Sequence, residues 1–409
     1  MAVRRKKRIR WGRVVIALFL LFGIIFVIGS SSFKYFKRDE KREVISNKSD
    51  NKSDEEEYSL SLIMVGDNLI HDKIYNEALR YGNGKYDFRP IYDMVKQDVS
   101  KYDLAYYNQE TILGGADIGV SSYPAFNSPF EVGDAMIDAG FNLVSLATNH
   151  TLDRGTKAIM KSCEYWKSQD KVMAVGSYCS LEDRNRIRIE TKNNISYTML
   201  NYTYGTNGIG VPEGQEYLVN VWPVTGNNPN NDSKYQAYKE TIKKDIDAVR
   251  DRVDVLIVAM HWGVEYQESP NNYQEDMASY LASLGVDIII GTHPHVIQPV
   301  TWLDNTLVIY SLGNFVSAHE VVNMSNRIGL MSSVTIKKSS RDGKSSISIE
   351  NLDNELLYTY YTSDYKDIKV IPFSKMEDKY LSNYRDVYEK YKKIVQGLDS
   401  NISVKNIVN

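Results

Sequence analysis

Two imidazoles one residue apart, His293 and His295 in the run Gly291-Thr-His-Pro-His295, can aim ring nitrogens at the same cation. They follow residues 286–290, an unbroken apolar stretch that reads as a fully buried strand, so they stand where that strand ends. In an α/β sheet the carboxyl ends of the strands are where ligand sites form. Five of the six histidines, His71, His150, His261, His293 and His295, lie next to or just beyond an apolar run; the sixth is His319. Acids and amides take the same kind of position. Asp67 follows residues 63–66, Asn108 and Glu110 close the run that starts at Leu104, Asn149 and His150 follow residues 144–148 with Asp153 just after, and Glu265 comes four residues past His261. Carboxylates, carboxamides and imidazoles suit Zn, Mn or Fe, and a carboxylate shared by two such ions gives the clamp of two-metal phosphoester hydrolysis. The pattern suggests a metal or phosphoryl site.

Plainer roles compete for some of these residues. Asp67 after a glycine could cap a helix, and His71 or His319 could be a surface or capping residue. For the His293/His295 pair the intervening proline is expected to keep the backbone extended. Trp262, Tyr266 and Phe315 read as packing residues, and Asn314 as the polar tip of a turn that shapes the wall of the site.

Strands are expected at residues 58–65, 104–108, 142–147, 172–175, 195–202, 253–260, 286–290 and 306–311. Helical periodicity falls between many of them, at 130–139, 156–169, 234–252 and 273–284. Alternation of this kind predicts sheets layered with helices. Beyond residue 330, runs at 331–337, 346–352 and 355–362 read as antiparallel strands, and 375–395 as a closing amphipathic helix. Residues 201–231 form a polar stretch with four of its glycines at 205, 208, 210 and 214, either a mobile surface loop or a lid over the site. Glycine-rich nucleotide loops are absent from the sequence. Cys163 and Cys179 do not make a disulfide framework; free buried thiols are the expected state, with a bridge as the alternative.

Seven basic residues, Arg4, Arg5, Lys6, Lys7, Arg8, Arg10 and Arg13, precede twenty uncharged residues at 14–33. As a helix that run spans about 30 Å, enough to cross a bilayer, and the basic flank would stay inside. A cleaved signal peptide is the competing reading; the length of the apolar run favours an uncleaved anchor. Residues 34–57 then read as a flexible linker, 58–372 as the main domain, and 373–409 as a C-terminal helix and tail. Residues 1–57 carry 14 basic and 8 acidic side chains of the chain's 49 and 52, so the remainder holds 35 basic against 44 acidic. An outward-facing acidic domain argues against nucleic-acid binding, and any anionic ligand must be captured locally.

The order Asp67, Glu110, Asn149-His150, His261, His293-x-His295 resembles the signature of calcineurin-like metallophosphoesterases. More closely, the chain resembles the bacterial CapA family of poly-γ-glutamate capsule synthesis. The residues that carry this are Gly66-Asp67, Asn108-x-Glu110, residues 140–150 with Asp153 and Gly155, residues 261–266, residues 291–295 with Gln298-Pro299, and residues 310–315. The resemblance implies a two-sheet α/β sandwich flanked by helices after one N-terminal transmembrane helix, and two divalent ions. Asp67 and His295 would hold one ion, Asn149, His261 and His293 the other, with Glu110 bridging and His150 free for acid–base work. His71, Asn108, Asp153, Glu265 and Asn314 are further candidates. Three positions depart from the pattern: His71 stands four residues after Asp67 rather than two, the bridging acid is Glu rather than Asp, and Thr148 replaces the more usual Gly or Asn. Family resemblance further implies an extracellular, membrane-anchored part in making or exporting poly-γ-glutamate, beside other membrane subunits of capsule synthesis. A surface phosphatase or phosphodiesterase unrelated to capsule, and a non-catalytic polymer-binding subunit, are the alternatives.

Overall fold

The structure is a computed structural model that describes residues 56–407 except 227, 320–322 and 342–343. The basic segment 1–13, the expected spanning helix 14–33 and the linker up to residue 55 lie outside the described residues. Among the described residues no helix is long and apolar enough to cross a membrane.

The first half of the chain lays down β1 (Glu56–Asn68), α1 (Asp72–Tyr81), α2 (Arg89–Val99), β2 (Leu104–Asn108), α3 (Glu131–Asp138), β3 (Leu143–Ser145), α4 (Gly155–Lys167) and β4 (Met173–Val175). A short α5 (Leu181–Asn185) leads to the second sheet, built from β5 (Glu190–Lys192), β6 (Ile195–Thr203), α6 (Ser233–Asp247), β7 (Val255–His261), α7 (Asn272–Ser283), β8 (Ile288–Thr292), β9 (Val300–Leu303) and β10 (Thr306–Ile309). The chain then returns to the first sheet with β11 (Asn314–Val316), β12 (Ile328–Arg341), β13 (Lys344–Tyr360) and β14 (Lys369–Pro372), and closes with α8 (Tyr384–Val395). Both sheets are mixed. One runs β14-β13-β12-β1-β2-β3-β4 with β11 beside β1, and the other runs β5-β6-β7-β8-β10-β9.

Period-two burial on these strands explains the layering. Leu60, Leu62, Met64, Leu104 and Tyr106 of the first sheet share a core with Met199, Ile257, Ala259, Ile288 and Ile290 of the second. The alternate residues Ile63, Val65, Ala105 and Tyr107 pack under Ile74, Ile91, Val95 and Val132 of the first sheet's helices. Leu256, Val258, Met260 and Ile289 do the same under Ile242, Ile246, Met277 and Leu281. Two sheets face to face, each with helices on its outer side, leave the central strands buried on both faces. That is why they read as unbroken apolar runs.

Several expectations are corrected. The runs at 346–352 and 355–362 are one strand, β13, paired along most of its length with β12. Helix α8 is about half the expected length, because residues before Tyr384 follow a 3-10 turn at Phe373–Lys375 and leave it extended at Met376. Its residues Tyr384, Val387, Tyr388 and Tyr391 belong to the core between the sheets. Helices α1 and α2 were not foreseen. Cys163 and Cys179 form a disulfide, not free thiols; α4 and the segment after β4 bring their Cα atoms within 5.8 Å, inside bonding range. Reduction is expected to cost roughly 3 kcal/mol, the chain entropy of a loop of this size, and to lower the urea midpoint in the presence of a reductant.

Asp232 anchors the far end of the long polar stretch. Its carboxylate accepts hydrogen bonds from the amides of Thr225 (2.7 Å), Gly226 (3.0 Å) and Tyr235 (3.1 Å), and from the hydroxyls of Thr225 (2.8 Å) and Tyr273 (3.1 Å). Burial alone would raise its pKa, but these bonds outweigh it and hold the group well below the usual carboxylate range. Its contribution is therefore present above the unfolded pKa, about 3.9, and is lost as pH falls through the depressed native value. Asp232→Ala removes the N-cap of α6 together with the loop clamp, with an expected loss of about 2–3 kcal/mol measurable by urea unfolding.

Candidate metal centre

The strand ends that carry the candidate residues meet at one edge of the sandwich. Asp67 sits in register with Asn108 on β2 and with Asn314 on β11, while His261 on β7 faces Thr292 on β8. Two glycines permit the close approach. A Cβ on Gly66 would fall 1.8 Å from the Gly313 carbonyl oxygen, and one on Gly291 would fall 2.0 Å from that of Tyr310. Without side chains there, the Asp67 amide donates to Gly313 O at 2.9 Å and the Trp262 indole to Tyr310 O at 2.8 Å.

Asp67 Oδ1 accepts from Asn108 Nδ2 at 2.8 Å, and its Oδ2 accepts from the His293 amide at 3.2 Å and lies 3.4 Å from His295 Nδ1. Glu110 Oε1 is 3.5 Å from His295 Nε2 and 3.9 Å from His261 Nε2. His261 Nε2 is also 2.9 Å from Asn149 Oδ1, and its Nδ1 is 3.0 Å from Thr292 Oγ1. The His293 ring lies 4.8 Å from that of His261 and 5.8 Å from that of His295. All of these side chains are buried. The six predicted ligands Asp67, Glu110, Asn149, His261, His293 and His295 thus occupy one cluster, with Asn108 inside it.

Three buried atoms in the cluster have no hydrogen-bond partner: both carboxylate oxygens of Glu110 and Nδ1 of His293. An unsatisfied buried carboxylate costs several kcal/mol unless a charge meets it. Glu110, His293 and His295 each offer a ligand atom within 4.8 Å of the others, so this group could hold a divalent ion. Burial, followed by the neighbouring histidines, pushes the His261 and His293 pKa values well below the usual range, which keeps their nitrogen lone pairs available. Burial also drives Glu110 upward, helped by Asp67 and opposed by His295. For His295 burial acts downward, but the Glu110 and Asp67 carboxylates overcome it and lift the pKa to about 10. The cation-free cluster accordingly holds protons that an incoming metal ion must displace.

The backbone of the His-x-His turn is not extended as expected. His293 has φ 96° and His295 φ 59°, both in the left-handed region that side chains rarely adopt. The turn is pinned by the Tyr266 amide, which donates to Pro294 O at 2.8 Å, and it is this geometry that points both rings at Glu110. Strain of this kind persists only where surrounding structure over-determines it.

His150 stands at the rim, its Nδ1 2.7 Å from Asp153 Oδ2 and its ring edge-on to Phe126. With Nδ1 donating to Asp153, Nε2 would be left for acid–base work. Asn314 orients His295, with Oδ1 3.0 Å from its Nδ1, while Asn314 Nδ2 donates to Asn326 O at 2.9 Å. Thr148, at the departing position, donates its hydroxyl to the Glu110 carbonyl at 2.8 Å. His71 and Glu265 are not in the cluster. His71 packs 4.6 Å from His319, and both line, with Glu265, a cavity of about 670 Å³ whose inner wall includes His150 and His295. Burial lowers the pKa of His71 well below the ordinary histidine range, and burial with the His295 charge takes that of His319 to about 3.

Two contributors escaped the sequence reading. Tyr204 packs its ring 4.5 Å from that of His293. Asn207 accepts from Asn149 Nδ2 at 3.1 Å and places its own Nδ2 3.2 Å from His150 Nδ1. Both lie in the glycine-rich stretch after β6, so its first part covers the site. The glycines were the available signal, but they do not single out which polar side chain turns inward.

The chain is similar to several known proteins. The chain is 28% identical over 269 residues to the capsule biosynthesis protein CapA of Bacillus anthracis, covering 64% of this chain and 60% of that relative. It is 31% identical over 180 residues to the PGA biosynthesis protein CapA of Bacillus subtilis strain 168, covering 44% and 43%. It thus spans less than two thirds of either relative. Among solved structures, a Staphylococcus aureus protein provisionally described as a 5′-nucleotidase aligns at 15% identity over 81% of this chain and 58% of that one, with a TM-score of 0.43. The model of the bacterial capsule synthesis protein PGA_cap matches residues 61–319, a span that runs from β1 through every cluster residue to His319. With more than half its length and its whole candidate centre inside that match, the chain belongs to the PGA_cap family of bacterial capsule synthesis proteins.

Proposed function

We propose that this protein serves in the synthesis or export of an extracellular poly-γ-glutamate-type polymer, as a membrane-anchored, outward-facing, metallophosphoesterase-like protein. The observation that carries the chemical part is Glu110, a buried carboxylate with neither oxygen hydrogen-bonded, set among His261, His293, His295 and Asp67. Asp67 and His295 would hold one divalent ion, Asn149, His261 and His293 a second, with Glu110 between them. Such ions supply Lewis acidity toward a phosphoryl or acyl oxygen. The chain's own residues do the rest. Asn108 and the His293 amide fix the Asp67 carboxylate, Asn314 orients His295, and Asp153 holds the His150 ring so that Nε2 can give a proton to a leaving oxygen. Names carried by the two Bacillus relatives support the capsule assignment. The disulfide supports an extracellular domain, since such bonds persist in oxidising surroundings.

Deleting the gene and measuring surface polymer tests the biological half. Loss of extracellular polymer, restored by the wild-type gene, is the expected result; unchanged polymer would leave the family's fold with another task.

A further inference from the structure

The cavity beside the cluster has a chemistry that the capsule reading does not anticipate. Its inner wall is formed by His150 and His295, so an anionic group held at the cluster would face into it. Among the described residues no lysine or arginine lines it. Its outer wall carries Tyr123, Phe126 and Tyr266, and the two tyrosines leave 76% and 48% of their surface uncovered. Glu265, next to Tyr266 in the chain, lines the same cavity as an exposed carboxylate that makes no ion pair or hydrogen bond among the described residues. Asp72, the other carboxylate that lines the cavity among the described residues, is already paired with Lys73 at 2.7 Å. A polyanion gains nothing from such a wall. An ammonium group gains twice, from the unpaired carboxylate and from the faces of electron-rich rings. With about 670 Å³ of space, the cavity suits a small chain end better than the body of a polymer.

We propose that this cavity recognises the amine-bearing end of its ligand, with Glu265 as the counter-ion and Tyr123 and Tyr266 as the aromatic walls, while the oxyanion of the same ligand lies at the metal cluster. The ligand class is therefore zwitterionic, an amine at one end and a carboxylate or phosphate at the other. This deepens the proposed function by assigning a chain terminus as the recognised element, and it rests on that reading for the metal cluster and for the identity of the polymer.

Two probe pairs separate the ideas. Manganese-loaded full-length protein is titrated calorimetrically with γ-linked triglutamate bearing a free or an acetylated amino end, and with ω-aminoalkyl phosphates against alkyl phosphates of equal length. The free amine is expected to bind at least tenfold tighter within each pair, and Glu265→Gln is expected to shrink that ratio to below about twofold while metal content stays unchanged. Amine preference among the phosphates with no triglutamate binding supports the cavity assignment and removes poly-γ-glutamate as the polymer. Tight triglutamate binding that ignores acetylation overturns the cavity assignment and leaves the polymer reading intact. A preference that survives in Glu265→Gln overturns the assignment of the counter-ion.

Discussion

Glu110→Gln should leave the chelated protein about as stable as wild type and abolish the stabilisation conferred by divalent ions. Substituting a buried charged residue usually costs 3–5 kcal/mol when its partner is left behind. Here two facts act against that cost. Burial drives the Glu110 carboxyl toward its neutral form, which glutamine imitates in size and polarity. His295 keeps Asp67, 3.4 Å away, as a second carboxylate. The expected change in chelator is therefore within about 1 kcal/mol. With manganese at a hundred to a thousand times its dissociation constant, wild type should gain about 3–4 kcal/mol from linkage. The variant lacks the carboxylate that both proposed ion positions would share and should gain almost nothing. Thermal unfolding of both proteins with and without a chelator checks this. Equal metal-induced shifts in the two would place the ion elsewhere.

His150→Ala is expected to separate metal binding from chemistry. The ring lies at the rim, outside the Glu110/His293/His295 group, so metal content should be unchanged. If His150 gives a proton to the leaving oxygen, its removal should lower turnover of an aryl phosphodiester by about 10²–10⁴-fold. Asp153→Asn should act through the same ring. The amide can donate as well as accept, so it no longer imposes one tautomer on Nδ1, 2.7 Å away, and a loss of roughly tenfold or more is expected. Metal-loaded wild type that fails to turn over the phosphodiester but binds polymer would mark the site as a binding centre.

Much of the fold is legible in the sequence alone. The apolar runs at 104–108, 195–202 and 253–260 gave strands within one or two residues of their observed bounds, because strands buried on both faces need continuous apolar sequence. Helices α1 and α2 carry a helical pattern that the sequence does show, with Ile74, Glu77 and Ala78 buried in the first and Ile91, Tyr92, Val95 and Val99 in the second. The disulfide was misjudged because sixteen residues of separation say nothing about whether a helix and the segment after a strand will bring two cysteines together.

Residue type and position at strand ends marked a pool of candidates, since a parallel strand must deliver whatever follows it to the same edge, and the family resemblance singled out Asp67, Glu110, Asn149, His261, His293 and His295 among them. Chain folding alone settled the rest. The left-handed turn at His293 and His295, the inward reach of Asn207 and Tyr204, and the sorting of His71 and Glu265 into a neighbouring cavity depend on backbone torsions and on contacts between segments tens to hundreds of residues apart. Local sequence carries no energy term for such contacts, which exist only once the two sheets have closed on each other.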